Sequence, residues 1–200
     1  MANVAVFVSG SGSNLQALID ATKAGILSAK IVLVVSNRRD AYGLQRAAGE
    51  NIDTFVFKTK KYDTPEDAGQ ALLDRLGAYQ VDYIALAGYL RLLPAEVVRA
   101  YRHRIVNIHP ALLPEYGGKG MYGHFVHEAV LASGDKESGV SVHLVDEIYD
   151  HGHVLEQVKV PVMPDDTPET LAARVLKHEH KIYARVLEKL IKGEYEINNG

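Results

Sequence analysis

Short apolar runs rich in β-branched residues alternate in this chain with longer stretches of helical spacing, and that alternation limits the fold more than any single motif. Residues 3–8, 30–36, 53–57, 82–87 and 104–108 read as strands. All are strongly apolar, as parallel strands buried on both faces should be. Between them, residues 14–24, 42–50, 64–79 and 94–102 carry helical spacing. The order βαβαβαβαβ implies right-handed crossovers and helices on both faces of one sheet. A loop at 110–123 and a helix at 124–133 precede two more strands, 139–145 and 154–162. Only about eight residues separate that pair, too few for a crossover helix, so they are expected to pair antiparallel. Thr64-Pro65-Glu66-Asp67 and Thr167-Pro168-Glu169 each combine an N-cap hydroxyl, a proline at the first helical position and an early acid. The second opens a long closing helix at 167–191. The fold class is therefore α/β, a doubly wound, mostly parallel sheet with an antiparallel C-terminal edge. No linker or repeat interrupts residues 1–200, which are expected to form one domain.

Charge and composition narrow the partners. The net charge is −3 with Lys and Arg scattered, which gives neither a nucleic-acid footprint nor a polybasic membrane patch. No cysteine is present, so disulfides, thiolate metal sites and a thiol nucleophile are excluded. The apolar run at 4–8 lacks a basic lead-in and stops at Ser9-Gly10, which suits a buried first strand rather than a signal peptide or membrane span. A cytoplasmic location is expected.

The first strand runs directly into Ser9-Gly10-Ser11-Gly12-Ser13-Asn14-Leu15-Gln16. Glycines allow a sharp turn with exposed amides, and the following helix aims its N-terminus at the same point. A single phosphate group fits such a loop. Leu15 stands where a dinucleotide fingerprint has its last glycine, which argues against a dinucleotide cofactor. Gly118-Lys119 is followed by Gly120, so there is no nucleotide-triphosphate loop either. The bland alternative is a plain strand-to-helix turn.

Val106-Asn107-Ile108-His109-Pro110-Ala111-Leu112-Leu113-Pro114 carries the chemistry. Strand periodicity sends Asn107 and His109 to one face, and the prolines end the strand beside them. A neutral amide donor and a titratable imidazole at a strand's C-terminal end suit the handling of a carbonyl. Asp150, in the turn between the last two strands, would orient that imidazole and raise its pKa if it came near. The remaining histidines, His124 with His127, His151 with His153, and His178 with His180, lack a zinc-site pattern. No metal is expected.

Taken together, these segments resemble the phosphoribosylglycinamide formyltransferases, a branch of the folate-dependent formyltransferases, over essentially the whole chain. The likeness rests on the loop at 9–16, Ser36-Asn37, Ala41-Tyr42-Gly43-Leu44 and Leu86-Ala87-Gly88-Tyr89-Leu90-Arg91. It continues through Asn107-Ile108-His109-Pro110, Leu113-Pro114, Gly139-Val140-Ser141-Val142-His143, Asp150, Gly152 and Gln157. The resemblance implies a Rossmann-like fold with a phosphate-binding N-terminal half and a folate-binding, catalytic C-terminal half. It implies Gly12, Ser13 and Asn14 at the substrate phosphate and Glu179 at its ribose. The backbone of Leu90, Arg91, Leu92 and Leu93 would hold the folate pterin, beside Asn107, and Asn107, His109 and Asp150 would form the catalytic trio. Two departures stand out. Pro65 occupies the position of a family arginine near the folate, and the stretch 116–123 is longer than in familiar members, so no site is carried across it.

The implied co-substrates are 10-formyltetrahydrofolate and glycinamide ribonucleotide, joined by direct attack of the amine on the formyl carbon, in a monomer or homodimer. Asn107 and a protonated His109 would stabilise the oxyanion, and Asp150 would keep His109 charged. Three other readings share parts of the pattern: a methionyl-tRNA formyltransferase, a formyltetrahydrofolate hydrolase, and a sugar-phosphate-binding module without catalysis. The first lacks its usual basic balance here, and the second its usual regulatory domain. The intact trio speaks against the third.

Overall fold

The computed structural model describes residues 1–197. Seven strands form one sheet: β1 (Ala2–Val8), β2 (Ala29–Ser36), β3 (Asp53–Val56), β4 (Tyr83–Leu86), β5 (Ile105–His109), β6 (Glu137–Leu144) and β7 (Val154–Pro161). Their order is β3-β2-β1-β4-β5-β6-β7, with parallel pairing from β3 to β5 and antiparallel pairing of β6 to both neighbours. Six helices cover the sheet: α1 (Ser13–Lys23), α2 (Tyr42–Gly49), α3 (Pro65–Ala78), α4 (Ala95–Ala100), α5 (His124–Ser133) and α6 (Pro168–Ile191). The alternation of β1 shows why helices are needed on both sides. Val4, Val6 and Val8 join Leu15, Leu18, Val175 and Leu187 in one core. Ala5 and Phe7 face the other way, with Leu72, Leu76 and Val97.

Most expected elements form, with ends shifted by a residue or two. The strand expected at 104–108 runs on to His109, so the imidazole sits on the last residue of a strand. A short 3-10 turn at Thr59–Lys61, not foreseen, follows β3. Both expected caps are made. Thr64 Oγ1 accepts from the Asp67 amide at 3.0 Å, and Thr167 and Thr170 form a reciprocal capping box at the head of α6.

The strand order reverses between β1 and β4, the switch point at which α/β sheets open a crevice. Ser9 ties that crevice together. Its amide donates to Gly88 O at 3.0 Å, its hydroxyl donates to Asn37 Oδ1 at 2.6 Å, and it accepts from the Leu90 amide at 2.9 Å. One side chain thus pins the loops after β1, β2 and β4.

Candidate active site

A cavity of about 810 Å³ opens at the carboxyl ends of the central strands. Ser13, Asn14 and Glu179 line it, as do Leu90 to Leu93, and Asn107, His109 and Asp150 face it as well. The structure therefore gathers the expected residues into one space, with a single exception. Gly12 shapes the wall from behind. Its φ is +70°, and a Cβ there would lie 2.6 Å from the Gly43 Cα, so the turn needs a glycine. Pro65 heads α3 away from the cavity wall, to which Arg38, Arg91 and Lys119 bring positive charge.

The antiparallel register of β5 and β6 builds the polar centre of this cavity. Asn107 lies opposite His143, and His109 opposite Ser141, so four polar side chains share one face of an apolar ladder. Ser141 Oγ donates to Ala111 O at 2.6 Å and accepts from the Leu113 amide at 2.9 Å. Gln157 Nε2 donates to Leu113 O and to Ser141 Oγ, each at 2.8 Å. This small network anchors the loop that leaves His109. Asp150 arrives from the far side in a left-handed turn, φ +52°, a conformation aspartate tolerates better than most residues. Gly152 lets that turn press against β6, since a Cβ there would sit 1.9 Å from Leu144 O.

Asp150 approaches Asn107, His109, His143 and the Gly118 amide. Its Oδ1 accepts from Asn107 Nδ2 at 3.2 Å, and its Oδ2 accepts from the Gly118 amide at 3.0 Å. His109 Nδ1 lies 3.6 Å from Oδ2, an ion-pair distance rather than a hydrogen bond. The other ring nitrogen, Nε2, is 2.7 Å from Tyr116 O. A carbonyl only accepts, so Nε2 carries hydrogen in this arrangement. Burial is the dominant influence on His109 and outweighs Asp150 and the Tyr116 carbonyl, so its pKa falls below the ordinary imidazole value. The expectation that Asp150 keeps His109 charged is corrected: the carboxylate does favour the cation, but desolvation of a ring only 4% exposed wins. Burial likewise pushes Asp150 upward, but the polar groups around it together hold it below the ordinary carboxylate range.

Elsewhere in the cavity lining, Asn14 Nδ2 donates to Glu179 Oε2 at 2.6 Å. Asn14 Oδ1 is buried without a partner. Burial raises the Glu179 pKa more than this hydrogen bond lowers it. The pair offers unfilled acceptors in a dry recess, where a hydroxylated ligand would supply the missing donors. Sequence reasoning missed His143, the Tyr116 carbonyl, the Gly118 amide and the buried His127, all of which belong to this centre or its wall. The β5–β6 register that would have revealed His143 cannot be read from either strand alone. Among the described residues, no three His, Asp or Glu side chains gather as a metal set, and no helix is long and apolar enough to cross a membrane.

A doubly wound sheet with an amide, an imidazole and a carboxylate converging on a cavity at its switch point is a frame for acyl-group transfer, and one family model accounts for it: residues 2–187 match the formyl transferase family, and the chain belongs to it. Particular relatives carry a narrower name. The chain is 47% identical over 188 residues to the chloroplastic phosphoribosylglycinamide formyltransferase of Vigna unguiculata, an alignment covering 94% of this chain and 60% of that protein. It thus spans less than two thirds of that relative's length. It is 38% identical over 199 residues to the phosphoribosylglycinamide formyltransferase of Haemophilus influenzae, covering 100% of this chain and 92% of the relative. The crystal structure of glycinamide ribonucleotide transformylase 1 from Symbiobacterium toebii superimposes with a TM-score of 0.92 at 37% identity, covering 100% of this chain and 92% of that one.

Proposed function

We propose that this chain transfers the formyl group of 10-formyltetrahydrofolate to the amine of glycinamide ribonucleotide, a step of purine biosynthesis. One observation carries the reading. Asn107, His109 and Asp150 meet in a cavity that Ser13, Asn14, Glu179 and Leu90 to Leu93 also line. The acceptor phosphate sits on the amides at the start of α1, where the helix dipole favours an anion. Its ribose hydroxyls donate to Glu179 and to the empty Asn14 Oδ1. The donor's pterin lies along Leu90 to Leu93. Both substrates then reach the trio, and the reaction runs in a ternary complex without an acyl-enzyme, since no cysteine is present and no serine hydrogen-bonds a histidine among the described residues.

The amine attacks the formyl carbon, a C–N bond forms, and negative charge collects on the formyl oxygen. Asp150 takes the proton that the amine sheds. As it becomes neutral, its hold on the Asn107 N–H weakens, and that N–H turns to the new oxyanion. The Nε2–H of His109 is the second donor once the Tyr116 carbonyl gives way, and it donates as a neutral imidazole. One such donor typically contributes about 3–4 kcal/mol to lowering the barrier. Collapse breaks the bond to the folate nitrogen, which leaves with the proton that Asp150 returns, so the carboxylate is restored. The test is the folate absorbance change with glycinamide ribonucleotide, water or charged initiator tRNA as acceptor. Turnover only with the ribonucleotide is expected. Turnover with water alone would make the chain a hydrolase, and dependence on tRNA would make it a tRNA formyltransferase.

A further inference from the structure

We propose that His143 is a positioning residue for this reaction, acting through the Asn107 carboxamide. The inference rests on the proposed formyl transfer and adds to it the group that decides which edge of Asn107 meets the substrate. His143 is 2% exposed and sits directly across the β5–β6 ladder from Asn107. Its Nδ1 lies 2.8 Å from Leu144 O. Because that carbonyl can only accept, Nδ1 bears the hydrogen, and in that tautomer Nε2 presents a lone pair, with Asp150 Oδ1 3.5 Å away. Asn107 Nδ2 is 3.0 Å from that lone pair and donates to it. The second Nδ2 hydrogen spans the longer 3.2 Å to Asp150 Oδ1. Flipping the carboxamide would set Oδ1 against both a lone pair and a carboxylate oxygen, which is repulsive on both counts. His143 therefore fixes the amide nitrogen inward, keeps one hydrogen permanently, and leaves the other as the exchangeable donor for the oxyanion. Without the Nε2 lone pair only Asp150 orients the amide. That restraint lapses when Asp150 takes the proton, at the moment the donor is needed.

The test compares His143→Leu, His143→Gln and Asn107→Ala, alone and in the double variant Asn107→Ala/His143→Leu. His143→Leu is expected to lower kcat by about tenfold to a hundredfold, below the loss on deleting an oxyanion donor outright, with KM for both substrates nearly unchanged. His143→Gln, whose carbonyl oxygen restores an acceptor, should recover most of that loss. In the Asn107→Ala background, His143→Leu should change kcat by no more than a small factor. Wild-type kcat in His143→Leu, or losses that multiply in the double variant, would overturn the proposal. A readout independent of turnover is the long-range proton–nitrogen spectrum of the wild-type imidazoles. An Nε2–H tautomer at His143 overturns the proposal even if the Leu variant fails to fold. A wild-type protein that transfers no formyl group, yet shows the Nδ1–H tautomer at His143 and an Asn107 amide signal that shifts in His143→Gln, would refute the formyl-transfer reading and leave the carboxamide lock standing.

Discussion

Asp150 concentrates more of the site's logic than any other residue. It accepts from Asn107 and from Gly118, faces His109 at ion-pair distance, and sits in a left-handed turn held by Gly152. Asp150→Asn keeps the shape and much of the hydrogen bonding but removes the charge and the proton acceptor. It should lower kcat by roughly a hundredfold to ten-thousandfold, the range of positioned proton transfer, while binding of both substrates changes little. It should also move the His109 pKa further down, because Asp150 is the main influence opposing burial there. Proton NMR titration of the His109 ring reads the second effect directly. An upward shift, or an unchanged kcat, would remove Asp150 from this role. The neutral imidazole inferred for His109 carries its own expectation. Because its pKa lies below the ordinary value of 6.5, kcat should not decline through loss of a histidine proton between about pH 7 and 8. A fall across that interval that follows the His109 titration would restore the imidazolium.

Elements place these residues, and two positions show how tightly. The Tyr183 ring on α6 is fully buried, and its hydroxyl donates to Leu86 O at 2.7 Å and to Val106 O at 3.2 Å. It clamps the ends of β4 and β5, the strands that deliver Leu90 and Asn107. Tyr183→Phe keeps the packing and loses the donor, a change of about 1 kcal/mol, which calorimetry should show as a drop in Tm of roughly 3 °C. Gly12→Ala forces a side chain into φ +70° with its Cβ 2.6 Å from the Gly43 backbone. A strain of about 1–2 kcal/mol is expected, together with a higher KM for the phosphate-bearing substrate and an unaltered KM for the folate. These elements were legible because each is a local pattern: β-branched runs, threonine caps, glycine turns. The turn at residues 9–16 and the shared face of Asn107 and His109 were legible for the same reason, since each is contiguous in sequence. What depends on pairing between distant strands was not. His143 becomes visible only through its register with Asn107, and the lowered His109 pKa only through the depth of burial that the whole sheet imposes.

Acidification links the site to the stability of the whole molecule, with two signs. His109 and His127 are both buried, and burial lowers the pKa of each, aided at His127 by the neighbouring His109. Below about pH 6.5 the unfolded chain takes up protons at these positions that the folded chain resists. Stability then rises with pH across that window: the contribution is complete above 6.5 and is lost as pH falls toward the lowered values. Glu179 acts in the opposite sense. Burial raises its pKa above the ordinary 4.5, so the folded state retains a proton the unfolded state has released, and its contribution fades as pH rises through that interval. His127 separates these effects without replacing a member of the trio. Its Nδ1 is buried with no partner, so the ring carries a desolvation burden that no hydrogen bond offsets. His127→Leu should reduce the loss of Tm between pH 7 and 5.5, whereas Glu179→Gln should leave that slope at least as steep while raising Tm at pH 7. Thermal melts of the three proteins at several pH values decide the matter. Parallel curves for wild type and His127→Leu would mean that the buried ring is not a source of the acid lability.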